Sequence, residues 1–398
     1  MLRFLTAGES HGPLLSAILD GMPAALPLDA ESINRELARR QQGYGRGGRM
    51  SIEHDQVHLA GGVVAGKTTG APIALLVENR DYRNWADKTI PPMTVPRPGH
   101  ADLTAAVKYG YRELRLSLER ASARETTMRV AVGAICKRLL AEFGIHVQGY
   151  VTSVGDVEAD LPDLPDAASY QARFAAAEAS DVRCPDPQAA ERIHAAIRAA
   201  IQAKDTLGGV IEVVALGLPP GLGSHVQWDR KLDGQLLAAV GSVPSVKGAE
   251  IGRAFDLARL RGSAVHDEIE RTAEGALRRR TNRAGGLEGG ITTGEPLIVR
   301  AALKPIATTL TPLHSVDLAD GEPRPIEYER SDFCQVPRGV PIIEAMIAFV
   351  LANALLEKLG GDSLDEMRPR FAALRRNHLA DLPMDNRAWQ FGYQYGLE

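Results

Sequence analysis

Two histidines stand among residues that hold the backbone in turns. Gly8-Glu9-Ser10-His11-Gly12 follows the first apolar residues, and Arg97-Pro98-Gly99-His100-Ala101-Asp102 repeats the arrangement further along. Glycine and proline there let an imidazole reach a ligand without competing for core space, so both rings are candidate proton donors. Between them, Arg39-Arg40 precedes Gly43-Tyr44-Gly45-Arg46-Gly47-Gly48-Arg49. Guanidinium forks on a glycine-rich loop suit carboxylates or phosphates. A fourth segment, Arg330-Ser331-Asp332-Phe333-Cys334, sets an acid beside an arginine just ahead of a long apolar stretch. Each has an ordinary structural reading when taken alone: a turn histidine bonded to backbone, a solvated arginine face, an aspartate closing a turn. Together they describe acid–base chemistry on a small polyanion.

Composition narrows the class of protein. With 398 residues, 44% of them apolar, the chain buries a large core and is not disordered. A formal charge of −4 and 5% aromatic residues argue against an arginine-glycine RNA-binding module, so the arginines are a local concentration with a small target. The three cysteines, Cys136, Cys184 and Cys334, stand far apart, which suits a reducing compartment and excludes a Cys-rich zinc site. No apolar run follows a basic stretch at the start, and Ile342 to Leu356 is interrupted by Glu344 and Asn353 and too short to span a bilayer. The expectation is a cytoplasmic protein with no metal, nucleic-acid or membrane partner.

The elements that must carry these segments are partly visible. Strand-like stretches recur near 2–6, 13–19, 56–65, 72–78, 209–216 and 295–303. Helices are expected over 30–41 and 102–118. Ser122-Ala123-Arg124-Glu125 has the pattern of a capping box opening a helix to Phe143, stopped by Gly144, and Ser363-Leu364-Asp365-Glu366 has the same pattern. Residues 156–205, rich in Ala, Asp and Pro, predict two helices, about 166–180 and 187–204, in a peripheral excursion. Gly61-Gly62…Thr68-Thr69-Gly70-Ala71-Pro72-Ile73 returns as Gly285-Gly286…Thr292-Thr293-Gly294-Glu295-Pro296-Leu297, and Asp20-Gly21-Met22-Pro23 is echoed by Leu216-Gly217-Leu218-Pro219. These echoes suggest two related half-units around a pseudo-twofold axis.

Two nucleotide motifs fail on context. Gly61 through Thr68 matches a phosphate loop, the mark of an ATPase or kinase, but that loop needs a helix starting at its lysine, and Gly70, Pro72 and the strand-like Ile73–Val77 follow instead. Gly43 to Gly48 matches a dinucleotide fingerprint, yet follows a helix rather than a strand.

The chain resembles the chorismate synthase family over essentially its whole length. The resemblance rests on segments in order: Gly8–Gly12, the arginine-glycine loop, Arg97–Asp102, Arg120-Ala121-Ser122-Ala123-Arg124-Glu125-Thr126, Val246-Lys247-Gly248-Ala249-Glu250-Ile251-Gly252, Ala284-Gly285-Gly286, Lys304-Pro305-Ile306 and Arg330-Ser331-Asp332. It implies a lyase that converts 5-enolpyruvylshikimate 3-phosphate to chorismate by 1,4-anti elimination of phosphate, the last shared step of aromatic amino-acid biosynthesis. Reduced FMN is required although no net redox change occurs. The implied fold is α+β, a β-α-β sandwich with central helices between two antiparallel sheets, residues 1–398 forming one domain of two related halves. A homotetramer is implied, with an external flavin reductase as the source of reduced FMN and NADPH only as an indirect reductant.

The resemblance also assigns roles. His11 matches the residue that protonates the departing phosphate, His100 the one beside the flavin N1 edge, and Asp332 the acid near flavin N5, which takes the ring proton. Flavin positions fall on Arg120, Ala121, Ser122, Pro244, Ser245, Gly289, Lys304, Pro305, Ile306, Ala307, Thr308 and Arg330. Pro244-Ser245 departs from the family's Asn-Ala or Gln-Ala, which leaves backbone rather than amide contacts there, and Ala307 replaces a more usual Ser or Pro. Arg40, Arg46, Arg49, Arg97 and Arg124 suit the substrate's anionic groups. Arg40 and Arg46 also match positions described as contacting NADPH, and either ligand fits them.

Overall fold

The alternating apolar stretches fold into two antiparallel sheets. A computed structural model describes residues 1–46, 54–164, 166–326, 331–389 and 392. Four strands, β1 (Arg3–Ala7), β2 (Leu14–Asp20), β3 (Val57–Gly61) and β4 (Ile73–Glu78), lie in the order β1-β2-β4-β3. Five more, β5 (His146–Val154), β6 (Val157–Glu158), β7 (Gly209–Leu216), β8 (Val246–Ile251) and β9 (Leu297–Leu303), lie in the order β8-β9-β7-β5-β6. Period-two patterning sets the faces: Leu15, Ala17 and Leu19 of β2 and Ile73, Leu75 and Val77 of β4 are buried, while Leu14 and Ile18 are exposed. Strands β5 and β8 lie outside the stretches expected from sequence. β8 is an edge strand carrying Lys247, Gly248 and Glu250, and so lacks an apolar alternation.

Helices α1 (Ala30–Gln41) and α4 (Thr126–Ala141) pack on the four-stranded sheet, and α8 (Val336–Leu359), with α7 (Leu232–Gly241), packs on the five-stranded one. α4 and α8 join the two sets, touching backbone to backbone at Gly133. A Cβ at that glycine would fall 2.2 Å from Ala345 Cβ and 2.4 Å from its Cα. The chain is thus α+β, with mixed helices and antiparallel sheets. α8 is longer than the apolar stretch seen in the sequence: at 24 residues it has the length and composition to cross a membrane, and 89% of its apolar window is buried inside the fold. Its Glu344, fully buried, accepts from Arg39 Nη1 at 2.7 Å and Nη2 at 3.0 Å, from Lys137, and from the Gly149 N–H at 2.8 Å.

Three local expectations need correction. The helix expected over 102–118 is two helices, α2 (Asp102–Tyr109) and α3 (Arg115–Ala121), broken where Gly110 turns left-handed at φ 69°. Leu103 and Val107 are exposed, so their spacing marks no buried face. At Ser122 the hydroxyl accepts from the Arg124 N–H over a 3₁₀ turn, and Glu125 does not reach back; its carboxylate binds Thr6 and Arg129 instead. Ser363 makes no side-chain cap on α9 (Leu364–Ala372), and Glu366 accepts from the Asp362 N–H. In the 156–205 segment, α5 (Ala167–Ala179) covers Tyr150, Val214 and Leu216 with Tyr170 and Phe174, while α6 (Pro187–Gln202) sends Ile193 and Ile197 into the main core.

The two sequence echoes fold alike, bond for bond. Val63–Val64 pairs with Lys67–Thr68, and Leu287–Glu288 with Ile291–Thr292, each as a two-residue ladder leading into β4 or β9. Thr68 Oγ1 donates to Pro23 O at 2.6 Å and accepts from Leu26 N at 3.0 Å; Thr292 Oγ1 donates to Pro219 O at 2.7 Å and accepts from Leu222 N at 2.8 Å. Gly62 and Gly286 sit at φ 82° and 85°, where a Cβ would meet the Pro72 or Pro296 carbonyl oxygen at 2.5 or 2.6 Å. Lys67 lies in this hairpin, and no helix begins there, so the phosphate-loop match is a scaffold turn.

Candidate active site

The Gly8–Gly12 turn joins β1 to β2 and is braced from both sides. Asn79 Nδ2 donates to Ser10 O and Gly12 O, both at 2.8 Å. From α3, Glu119 Oε2 accepts the His11 N–H at 2.8 Å, and Oε1 lies 2.8 Å from the ring Nδ1. Burial pushes the Glu119 carboxyl up, but the hydrogen bonds from His11 outweigh it and hold the group below its ordinary value. The imidazole, its side chain 14% exposed, lies 4.2 Å from the Trp85 ring centroid. Ser122 Oγ donates to Ser10 Oγ at 3.0 Å, so the turn meets the start of the α4 segment.

Behind that junction lie two buried guanidiniums. Arg40 donates from Nε to Thr126 Oγ1 at 3.0 Å and from Nη2 to Ala123 O at 2.9 Å. Arg124 Nη1 donates to Asp55 Oδ2 at 2.6 Å, and Arg40 Nη1 lies 3.6 Å from the same oxygen. Burial raises the Asp55 carboxyl, yet Arg124 and then Arg40 and Thr127 bring it below its usual range. Arg120 lies over β1 and donates from Nη2 to Thr6 O at 3.0 Å and Thr6 Oγ1 at 2.8 Å.

A second group forms around His100. Asp102, fully buried, accepts from Arg97 Nε at 2.8 Å and Nη2 at 3.0 Å, and from the Arg97 N–H at 3.1 Å, while its Oδ1 lies 2.6 Å from His100 Nδ1. Arg97 Nη1 donates to Thr308 Oγ1 at 3.4 Å, and Lys304 Nζ reaches Gly99 O, which brings residues 304–308 against the histidine turn. Ser245, at φ 72°, accepts the Lys304 N–H at 2.9 Å, so the loop with Pro244 joins this group. An imidazole, an ammonium, a hydroxyl and irregular backbone at 306–307 form a donor set that fits an anionic, hydrogen-bonding planar ring such as a flavin.

The remaining candidates are placed less uniformly. Arg46 donates to Gln41 O and lines an open cleft of 370 Å³ with Tyr44, Glu178, Asp181 and Arg183. Asp332 is paired with Arg338, and Gly45 O accepts the Phe333 N–H at 2.9 Å, tying the arginine loop to the Asp332 segment. Gly289 sits in the hairpin at the Leu297 end of β9, roughly 20 Å along that strand from Lys304. Arg49 and Arg330 lie outside the described residues. Among the described residues, no group of three or more His, Cys, Asp or Glu converges as metal ligands. Sequence reasoning missed Glu119, Asn79, Asp55 and Trp85; Asn79, Asp55 and Trp85 stand in no local motif, while Glu119 directly precedes the Arg120–Thr126 segment.

Known proteins resemble this chain over nearly its whole length. The family model for chorismate synthase matches residues 2–356. A chorismate synthase from Trichlorobacter lovleyi is 52% identical over 397 residues, covering 96% of this chain and 99% of its own. One from Symbiobacterium thermophilum is 54% identical over 384 residues, covering 93% and 97%. A crystal structure of a chorismate synthase superposes with a TM-score of 0.77 at 44% identity, over 93% of this chain and 96% of that one. On a family model matched over residues 2–356 and relatives about half identical along nearly their full length, the chain belongs to the chorismate synthase family of lyases.

Proposed function

We propose that this chain catalyses the 1,4-anti elimination of phosphate from 5-enolpyruvylshikimate 3-phosphate, giving chorismate, in the presence of reduced FMN. The observation that carries the reading is the His11 imidazole, mostly buried and held by a carboxylate at 2.8 Å in the turn that meets Ser122. An imidazole so placed is a general acid for a departing phosphate. Reduced FMN, when bound, supplies the electron density that weakens the allylic C–O bond. Lys304 to Thr308, Pro244, Ser245, Arg120, Ala121 and Ser122 would hold it, with His100 facing its ring and Asp332 assisting proton removal. Arg40 and Arg124, bonded to Ala123, Thr126, Thr127 and Asp55, act as fixed positive charge behind the Ser122 turn. Arg46, and Arg49 beyond the described residues, are left to meet the substrate's carboxylates and phosphate, with Arg97 acting through its contact to His100.

The finer fold reading belongs to the same proposal: one domain, a helical layer between two sheets, and two related halves, supported by the matched Thr68 and Thr292 hydrogen bonds. We also assign the protein to the cytoplasm as a homotetramer supplied with reduced FMN by a separate reductase, NADPH serving only that step. The test is anaerobic. Purified protein mixed with chemically reduced FMN and 5-enolpyruvylshikimate 3-phosphate should release phosphate and chorismate together; folded protein without turnover refutes the assignment. His11→Ala and Asp332→Ala should each slow turnover about 10²-fold with flavin still bound.

A further inference from the structure

We propose that Glu119 is a positioning residue for His11: its carboxylate fixes the ring and keeps the proton on Nδ1, so that Nε2 is the nitrogen that exchanges a proton with the substrate. The inference rests on His11 acting as the general acid. Both carboxylate oxygens are directed to one residue, Oε2 to the His11 N–H and Oε1 to the ring Nδ1, each at 2.8 Å. A brace for the turn alone needs only the backbone bond, and Asn79 already supplies that function through the Ser10 and Gly12 carbonyls. An ionised carboxylate accepts and never donates, so the Nδ1 facing it carries a hydrogen in both the neutral and the charged ring. Hydrogen bonds from His11 keep Glu119 ionised despite its burial.

The charged groups around the imidazole include several besides Glu119. Glu9 shares its turn, with Oε2 3.1 Å from the place a Gly12 Cβ would occupy. Arg115 of α3 and Lys88 lie over the Trp85 ring that faces His11, at 5.8 and 5.7 Å from its centroid, and Asp81 accepts from Trp85 Nε1 at 3.1 Å. Glu119 is an anion in direct contact with the ring.

The test combines kinetics with spectroscopy on the full-length protein. Glu119→Gln, close in shape, should reduce kcat about tenfold to hundredfold with the substrate KM within about twofold. In a His11→Ala background the same change should have no further effect on kcat. Equal losses in the two backgrounds would show that Glu119 acts independently of the ring and overturn the proposal. Full activity of Glu119→Gln while His11→Ala is impaired overturns it and leaves the general acid standing; full activity of His11→Ala overturns both. Should Glu119→Gln fail to fold, histidine ¹⁵N resonances of the unmodified protein decide the matter. The signal absent in His11→Ala must show the Nδ1–H tautomer above the ring's titration, and a dominant Nε2–H tautomer refutes the assignment.

Discussion

Replacing Asp102 with Asn tests whether the His100 turn is held together by one charge. The carboxylate is fully buried and receives two side-chain bonds and one backbone bond from Arg97, at 2.8, 3.0 and 3.1 Å, besides the 2.6 Å contact to His100. Asn keeps the volume, but it offers one acceptor oxygen and turns an NH₂ toward other donors. Arg97, 7% exposed, would then be a buried cation without its anion, which costs about 3–5 kcal/mol. Burial works to raise the Asp102 carboxyl, yet the bonds from His100 and Arg97 hold it well below 3.8. A depressed carboxylate contributes its stability above the unfolded value and loses it as pH falls through the folded one. The deficit of Asp102→Asn should therefore be level between pH 5 and 8 and shrink below about pH 4. Urea unfolding followed by fluorescence reads the first effect, and titration with reduced FMN under anaerobic conditions reads the second. His100 loses an ionic partner worth about 1.5–3 kcal/mol, so reduced FMN should bind roughly 10- to 100-fold more weakly. A loss under about 1 kcal/mol at neutral pH, or a deficit that grows on acidification, would refute the argument.

Other perturbations test the frame that carries the site. Glu344→Gln removes the buried acid that Arg39 and Lys137 share, leaving them to Glu36 and Glu178, and should destabilise the protein by about 1.5–3 kcal/mol near neutral pH in urea unfolding. Burial opposes ionisation of Glu344, but Arg39 and Lys137 hold its carboxyl below the ordinary value, so the stability it contributes should fade as pH falls below about 4, and that acid dependence should be absent from the variant. Gly133→Ala gains about 1 kcal/mol of helix propensity, but its methyl would lie 2.4 Å from Ala345 Cα, and the α4–α8 crossing must open. Its urea midpoint should fall, with activity retained wherever the variant is folded; an unchanged midpoint would show that the helices separate freely.

Residue type and immediate neighbours made the reactive side chains visible: a histidine or arginine among glycines reads as a ligand-facing group whatever surrounds it in space. Strands with one buried face were equally legible, because β2 and β4 alternate. Legibility failed where a contact crosses the chain. Glu119 lies 108 residues from His11, and Asp55 69 residues from Arg124, and neither acid stands in a pattern that points to its partner. The same cause undid the Ser122 capping box, since Glu125 finds Thr6 of β1 and Arg129 within reach and leaves the helix start to the serine alone.

This gap matters for the chemistry, because the sequence presents Arg124 and His11 without the acids that face them, where the folded chain presents pairs throughout. Arg97 faces Asp102, Arg124 faces Asp55, His11 faces Glu119, and Asp332 faces Arg338. A pair carries less net charge than a lone guanidinium, so it attracts an anion less strongly from a distance. It is also fixed in direction before the substrate arrives, and a pre-oriented group needs no reorganisation when charge develops on a leaving phosphate. Such a site favours the transition state over mere capture of a polyanion, so removing Asp55 or Glu119 should reduce kcat more than it raises KM. If steady-state kinetics of the folded variants showed the reverse, with KM raised and kcat intact, the carboxylates would be serving affinity and the pairing argument would fail.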